Sequence, residues 1–247
     1  MHLYFKLTAL AAVLTVGTVL ASADVIGINS QPGNGATNSG TVGFVNGPSP
    51  WTGPGSTYNI SPTNNSVWSL PGAGSNYVSV DPNSGPEGGE GPSTFDPNGT
   101  YTYSYSFNIN TSNIYSFSSG SLLTILADDT TDLLVNGTLV VPFGVIGTDQ
   151  HCADGQPNCT MPYTLDASQE ALFLSIINSN TTGLITLTFD VEQSGSYYQG
   201  LDFYGEINGT PRGINNITPE PSSLVLLGTG LIGAAGTVLR RARRSRA

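Results

Sequence analysis

The chain has 247 residues, with 17 Asp and Glu against 7 Lys and Arg, and only 10% of its residues are charged. A soluble domain usually carries about 25%. The acidic balance excludes a basic nucleic-acid binder, the two cysteines exclude a cysteine-rich zinc protein, and 31 Gly with 16 Pro exclude a long coiled coil.

The N-terminus reads Met1-His2-Leu3-Tyr4-Phe5-Lys6, then an apolar run from Leu7 to Leu20, then Ala21-Ser22-Ala23. One positive charge, a short apolar core and an A-x-A site predict a signal peptide over 1–23, cut by signal peptidase between Ala23 and Asp24. From Gly27 to Pro97 the chain is rich in Gly, Pro, Asn and Ser. Short strands are predicted at Thr41 to Val45, at Val67-Trp68-Ser69 and at Tyr77 to Val80. Trp51, Tyr58, Trp68 and Tyr77 are expected to plug a core. Nine of the 19 residues between Asp81 and Gly99 are Gly or Pro, which predicts a loop.

The second half reads as β. Tyr101, Tyr103, Tyr105, Phe107 and Ile109 alternate with small polar residues, a period of two that predicts a half-buried strand. Leu122 to Ala127 is an apolar run of core-strand length. Leu133 to Val135 and Thr138 to Val141 flank Asn136-Gly137, a hairpin signal. Ala171 to Ile177 is expected to be another interior strand, because no 3.6-residue period stands out anywhere. Ile185 to Val191 alternates again, and Leu201 to Ile207 is expected to close the sheet. The prediction is an all-β, antiparallel β-sandwich spanning residues 24–211.

Three groups of residues invite a chemical reading. Asp128, Asp129 and Asp132 supply carboxylates at a strand end, and calcium is the cofactor they would suit. The same residues also serve as a turn, since Asp and Asn at strand ends accept backbone N–H bonds. Cys152 and Cys159, in an exported chain, predict a disulfide. His151, beside them, is the only other histidine besides His2. No G-x-S-x-G occurs and no motif pairs two carboxylates, so a catalytic centre is not expected; a polysaccharide-acting hydrolase remains the enzymatic alternative.

After a linker at 212–218, the C-terminus carries Pro219-Glu220-Pro221, then 18 uncharged residues from Ser222 to Leu239, then five arginines between Arg240 and Arg246. Eighteen helical residues cover about 27 Å, close to a bilayer core. The arginines would stay on the cytoplasmic side. Without the two ends, 16 acidic residues remain between Asp24 and Thr218 against Arg212 alone, a net charge of −15. Such a body has no means of docking on nucleic acid.

The order of tripeptide, apolar helix and Arg cluster resembles the PEP-CTERM sorting signal of Gram-negative bacteria, here over residues 219–247. The resemblance implies processing by an exosortase, passing anchorage in the inner membrane through helix 222–239, and a link to exopolysaccharide, biofilm or floc formation. The stretch around Ala127-Asp128-Asp129 and Asn136-Gly137 resembles the jelly-roll lectin-like domains, among them the galactose-binding-like and PA14/GLEYA folds. That second resemblance implies a carbohydrate site at Asp128, Asp129 and Asn136, with calcium between protein and sugar. The expectation from sequence is an exported, non-catalytic protein of the cell surface or extracellular matrix that binds extracellular polysaccharide. The alternative is a purely structural matrix protein.

Overall fold

The computed structural model describes residues 24–33, 40–62, 68–86, 96–112, 114–143, 158–195 and 198–211. The chain falls into two units, 1–211 and 212–247, and every described residue belongs to the first. The signal peptide, the sorting signal, His151 and Cys152 lie outside the described residues.

Twelve strands and one helix are described in chain order: β1 (Asp24–Asn29), β2 (Val42–Asn46), β3 (Tyr58–Asn59), β4 (Val78–Ser79), β5 (Gly99–Asn108), β6 (Ile114–Asp128), β7 (Thr130–Thr131), β8 (Leu133–Val135), β9 (Thr138–Val141), β10 (Tyr163–Thr164), α1 (Ala167–Ser179), β11 (Leu184–Gln193) and β12 (Gly200–Pro211). They form two antiparallel sheets. Sheet A runs β10-β6-β12-β4-β3, with β1 also on β12; sheet B runs β2-β5-β11-β8-β9, with β7 also on β11. The expected β-sandwich is present.

Its core follows the period-two strands. On β5, Tyr101, Tyr103, Tyr105 and Phe107 point inward; on β11, Ile185, Leu187, Phe189 and Val191 do the same. Sheet A answers with Leu123, Ile125 and Ala127 of β6 and Leu201, Phe203 and Ile207 of β12. Phe189 and Phe203 stack across the two sheets with ring centroids 4.6 Å apart. Burying side chains of this size stabilises the fold by about 1.5–3 kcal/mol each. The Asn136-Gly137 hairpin joins β8 to β9, and both residues have the positive φ that a two-residue turn requires, 48° and 79°.

Four sequence expectations need correction. Ala171 to Ile177 is helix, part of α1. Asp166 caps it: its carboxylate accepts from the N–H groups of Ser168 and Gln169, and Gln169 returns a bond to the Asp166 N–H. The helix buries only Phe173 and Ile177, four residues apart, so an almost continuous apolar run hid a narrow stripe. Trp68 and Ser69 are not in a strand; the Trp68 ring is a plug instead. Tyr58 is 45% exposed rather than core. Finally, β12 does not close sheet A but runs through its middle, between β6 and β4.

The outer face of sheet A is also covered. Leu126, whose neighbours Ile125 and Ala127 face the main core, points the other way and packs with Ile60, Trp68, Tyr77 and Cys159. The loop residues between β3 and β4 thus build a second, smaller core on the back of the sheet. Tyr204 lies close against Gly72, where any Cβ would collide with its ring.

Candidate functional site

Asp128 is the last residue of β6 in sheet A, and Thr130 opens β7 in sheet B, so the Asp128–Asp129 peptide, which is cis, carries the chain from one sheet to the other. Both carboxyls are buried. Asp128 faces the second core, where the Trp68 indole N–H donates to its Oδ2 at 2.8 Å. Trp68 is braced by Tyr77, with centroids 4.6 Å apart, and by Tyr198, edge-on at 6.1 Å. Asp129 turns toward the end of β11, and its Oδ2 accepts from the N–H and the hydroxyl of Ser194 at 2.6 and 2.9 Å.

None of the described residues is Lys, Arg or His. Buried carboxyls therefore have only neutral donors or a proton to balance them. Burial first, then the charge of Asp129 and a hydrogen bond to it, raise the Asp128 carboxyl well above the usual carboxylate range.

The structure does not bring the expected carbohydrate residues together. Asp129 lies beside Glu192, whereas the backbone of Asn136 pairs with Thr186 and its Oδ1 accepts from the Thr186 N–H at 2.8 Å. Six residues of β11 separate those positions, about 20 Å of extended strand. Asp128 and Asp129 thus stand at one end of the sheet and Asn136 at the other. Asp132, the third expected metal ligand, gives its Oδ1 to the Asp190 N–H at 3.1 Å. Calcium needs six to eight oxygens free to face it. Among the described residues no three acidic, His or Cys side chains are grouped to hold a metal. Asp129 Oδ2 and Asp132 Oδ1 already accept from N–H and O–H donors. The acidic turn joins the two sheets.

Two further polar sites lie in the same layer and were not visible in the sequence. Asp202, on β12, accepts from Ser30 Oγ at 2.6 Å and from the Gly72 N–H at 3.0 Å, which pins the loop before β4 onto sheet A. Nearby in the fold, Ser79 of β4, Ser84, Asp96, Tyr103 of β5 and Gln199 form a connected buried network. Burial pushes the Asp96 carboxyl up to about 6, against the opposing hydrogen bond from Ser84. Apart from Ser79 and Ser84, five positions apart, these contacts join residues 12 to 172 positions apart, and no local pattern announces them.

One cleft, between α1 and sheet A, measures about 250 Å³ including open solvent and is lined by Leu123, Phe173, Ile207, Glu170 and Glu206 among others. Ligand sites usually measure about 300–1,000 Å³.

Residues 218–244 match the PEP-CTERM protein-sorting motif. This is a surface-sorting signal. It implies export to the cell envelope or surface and processing by an exosortase. The expected residues Pro219, Glu220 and Pro221 fall within the match. No curated protein and no solved structure matches the chain. Among the described residues no helix is long and apolar enough to cross a membrane. Cys159 is fully buried in the second core, where its carbonyl accepts from the Tyr77 hydroxyl at 3.2 Å; the expected disulfide to Cys152 reaches outside the described residues.

Proposed function

We propose that the chain is an exported, non-catalytic structural protein of the cell surface or extracellular matrix, whose sandwich is delivered by exosortase processing of the C-terminal signal. The observation that carries this reading is the pairing of a sorting motif at 218–244 with a body whose candidate site residues all act as structural clamps. Asp128, Asp129, Asp132 and Asn136 each spend their oxygens on holding strands and loops together. The acidic surplus keeps such a body soluble at high local concentration.

Exopolysaccharide binding is the second reading. It no longer rests on Asp128, Asp129 and Asn136; the feature that favours it is Tyr58, whose half-exposed ring on the edge strand β3 is open to stack on a sugar face. A hydrolase has less support, as no motif in the sequence pairs two carboxylates.

The test is location and binding in one host. The full chain, expressed in a bacterium with an exosortase, is expected at the surface or in the matrix; with Pro219, Glu220 and Pro221 changed to Ala it is expected to remain in the inner membrane. Unchanged location would overturn the sorting role. Saturable retention on the host's own polysaccharide, lost in Tyr58→Ala, would replace the structural reading with the binding one.

A further inference from the structure

Ser79, Ser84, Asp96 and Gln199 are all buried and form a chain whose hydrogens can be counted. Ser79 Oγ lies 2.9 Å from Ser84 Oγ and 2.7 Å from Gln199 Oε1, and Ser84 Oγ is hydrogen-bonded to Asp96 Oδ2. These are three contacts in a row, and the two serines bring one hydroxyl hydrogen each. The third hydrogen must come from one end of the chain. Tyr103 Oη, from β5, donates separately to Gln199 Oε1 at 2.7 Å, while Nε2 has no hydrogen-bond partner among the described residues.

Either end can supply the missing hydrogen. A protonated Asp96 donates to Ser84, Ser84 to Ser79, and Ser79 to Gln199 Oε1. An ionised Asp96 takes the Ser84 hydrogen instead, Ser84 takes that of Ser79, and Ser79 Oγ then faces Oε1 with no hydrogen between them. A half-turn of the amide about Cγ–Cδ corrects this. It brings Nε2 to the place of Oε1, with one hydrogen for Ser79 Oγ and one for Tyr103 Oη. With the Tyr103 contact included, each arrangement makes four hydrogen bonds. The first leaves the two Nε2 hydrogens unpartnered, the second Oε1 and the Tyr103 hydrogen. Hydrogen bonding is balanced between the two, so the charge on Asp96 decides.

We infer that ionisation of Asp96 turns the Gln199 amide over through the two serines, a pH-sensitive switch where β4 meets the head of β12. Below the Asp96 midpoint the side of Gln199 away from Ser79 presents two N–H hydrogens; above it, that side presents an oxygen. The two ends of the relay sit beside paired strands: Val78 pairs with Leu201, although Ser79 and Gln199 are 120 residues apart. No covalent bond changes except the O–H of Asp96.

The groups that face Asp96 suit such an exchange. Burial moves its carboxyl up to about 6; the Ser84 hydrogen bond opposes this, the charge of Asp81 adds to it, and a hydrogen bond from Trp51, in the segment between β2 and β3, opposes it. From β5, Tyr101 and Tyr103 are the other titratable groups, and burial raises both, so they stay uncharged throughout. From the β12 side only the neutral Gln199 takes part. No Lys, Arg or His stands among the described residues, so the charge that appears on Asp96 is met by hydroxyl and indole donors alone. The inference is independent of how the protein is sorted or what it binds.

The experiment is nuclear magnetic resonance on the full-length chain in detergent, labelled in glutamine side-chain amides and aspartate carboxyls. The Gln199 signal is assigned by its loss in Gln199→Met. From acid to neutral pH the two Nε2 protons are expected to move downfield and to exchange more slowly with water, because they gain acceptors. Their midpoint should be that of the Asp96 carboxyl. Asp96→Asn, whose neutral amide donates to Ser84 at every pH, should hold the Gln199 signal at its acid position. Ser84→Ala should leave Asp96 titrating and Gln199 unresponsive. A Gln199 signal that stays fixed while Asp96 titrates overturns the inference, and so does one that still moves in Asp96→Asn. An Asp96 carboxyl that keeps one charge state across the whole range overturns it too.

Discussion

The side-chain amide of Asn178 holds both backbone groups of Phe117: its Oδ1 accepts from the Phe117 N–H at 2.7 Å, and its Nδ2 donates to the Phe117 carbonyl at 3.1 Å. Phe117 lies on β6, where β10 pairs only as far as Thr124 and Ile125. A single amide on α1 thus stands in for the missing neighbouring strand. Open strand edges are templates for association. Asn178→Ala is expected to cost about 1–2 kcal/mol in urea unfolding, the worth of two part-buried hydrogen bonds. It should also introduce concentration-dependent sedimentation. Asn178→Asp, which keeps the acceptor and loses the donor, should fall between.

Removing the indole N–H above Asp128 isolates a buried carboxyl. Trp68→Phe keeps most of the apolar contact with Tyr77 and Leu126, yet it should lose about 1–3 kcal/mol because Asp128 Oδ2 is left without its donor. Asp128→Asn should be much milder, since burial disfavours the charged form of this carboxyl and a neutral amide carries no such penalty. Chemical denaturation of the two variants side by side checks this; equal losses would contradict it.

Acidification is expected to stabilise the protein. Burial raises Asp96 and Asp132 from 3.8 to about 6, and raises Asp128 and Asp202 as well. Between about pH 4 and pH 6 the native state therefore binds more protons than the unfolded chain, and stability falls as pH rises through that window. The melting temperature should be higher near pH 5 than near pH 7.5, and Asp96→Asn should flatten part of the slope. At lower pH the Asp166 cap of α1, whose carboxyl is held below its usual value by hydrogen bonds from Ser168 and Gln169, is protonated and lost.

Melts in calcium and in EDTA should coincide. Binding to the native state alone would raise its stability by mass action, but one oxygen each of Asp128, Asp129 and Asp132 is already engaged. A calcium-dependent rise abolished by Asp129→Asn would show that the turn opens to a cation and would restore the metal reading.

What the sequence showed was local. The alternation at Tyr101 to Phe107 and the Asn136-Gly137 turn announced β5 and the β8–β9 hairpin, because both depend on residues adjacent in the chain. The helix α1 was hidden by Leu172, Phe173, Leu174, Ile176 and Ile177, an apolar run that suits a buried strand equally well. Its readable signal was the Asp166…Gln169 capping box. Asp128 and Asp129 were correctly singled out as unusual, but the reason for them, Trp68 and Ser194, lies 60 and 65 residues away. The strand expected around Trp68 does not form at Trp68 or Ser69, but the burial expected of Trp68 and Tyr77 is found, on the back of sheet A.

The absence of basic residues from the sandwich has a consequence outside the fold. A protease that requires Lys or Arg finds one such residue between Asp24 and Thr218, Arg212, directly after the last residue of β12. Enzymes of that specificity, common wherever cells compete for protein, have no bond to attack within the body. Their single cut would shed the sandwich whole, separating it from the sorting tail.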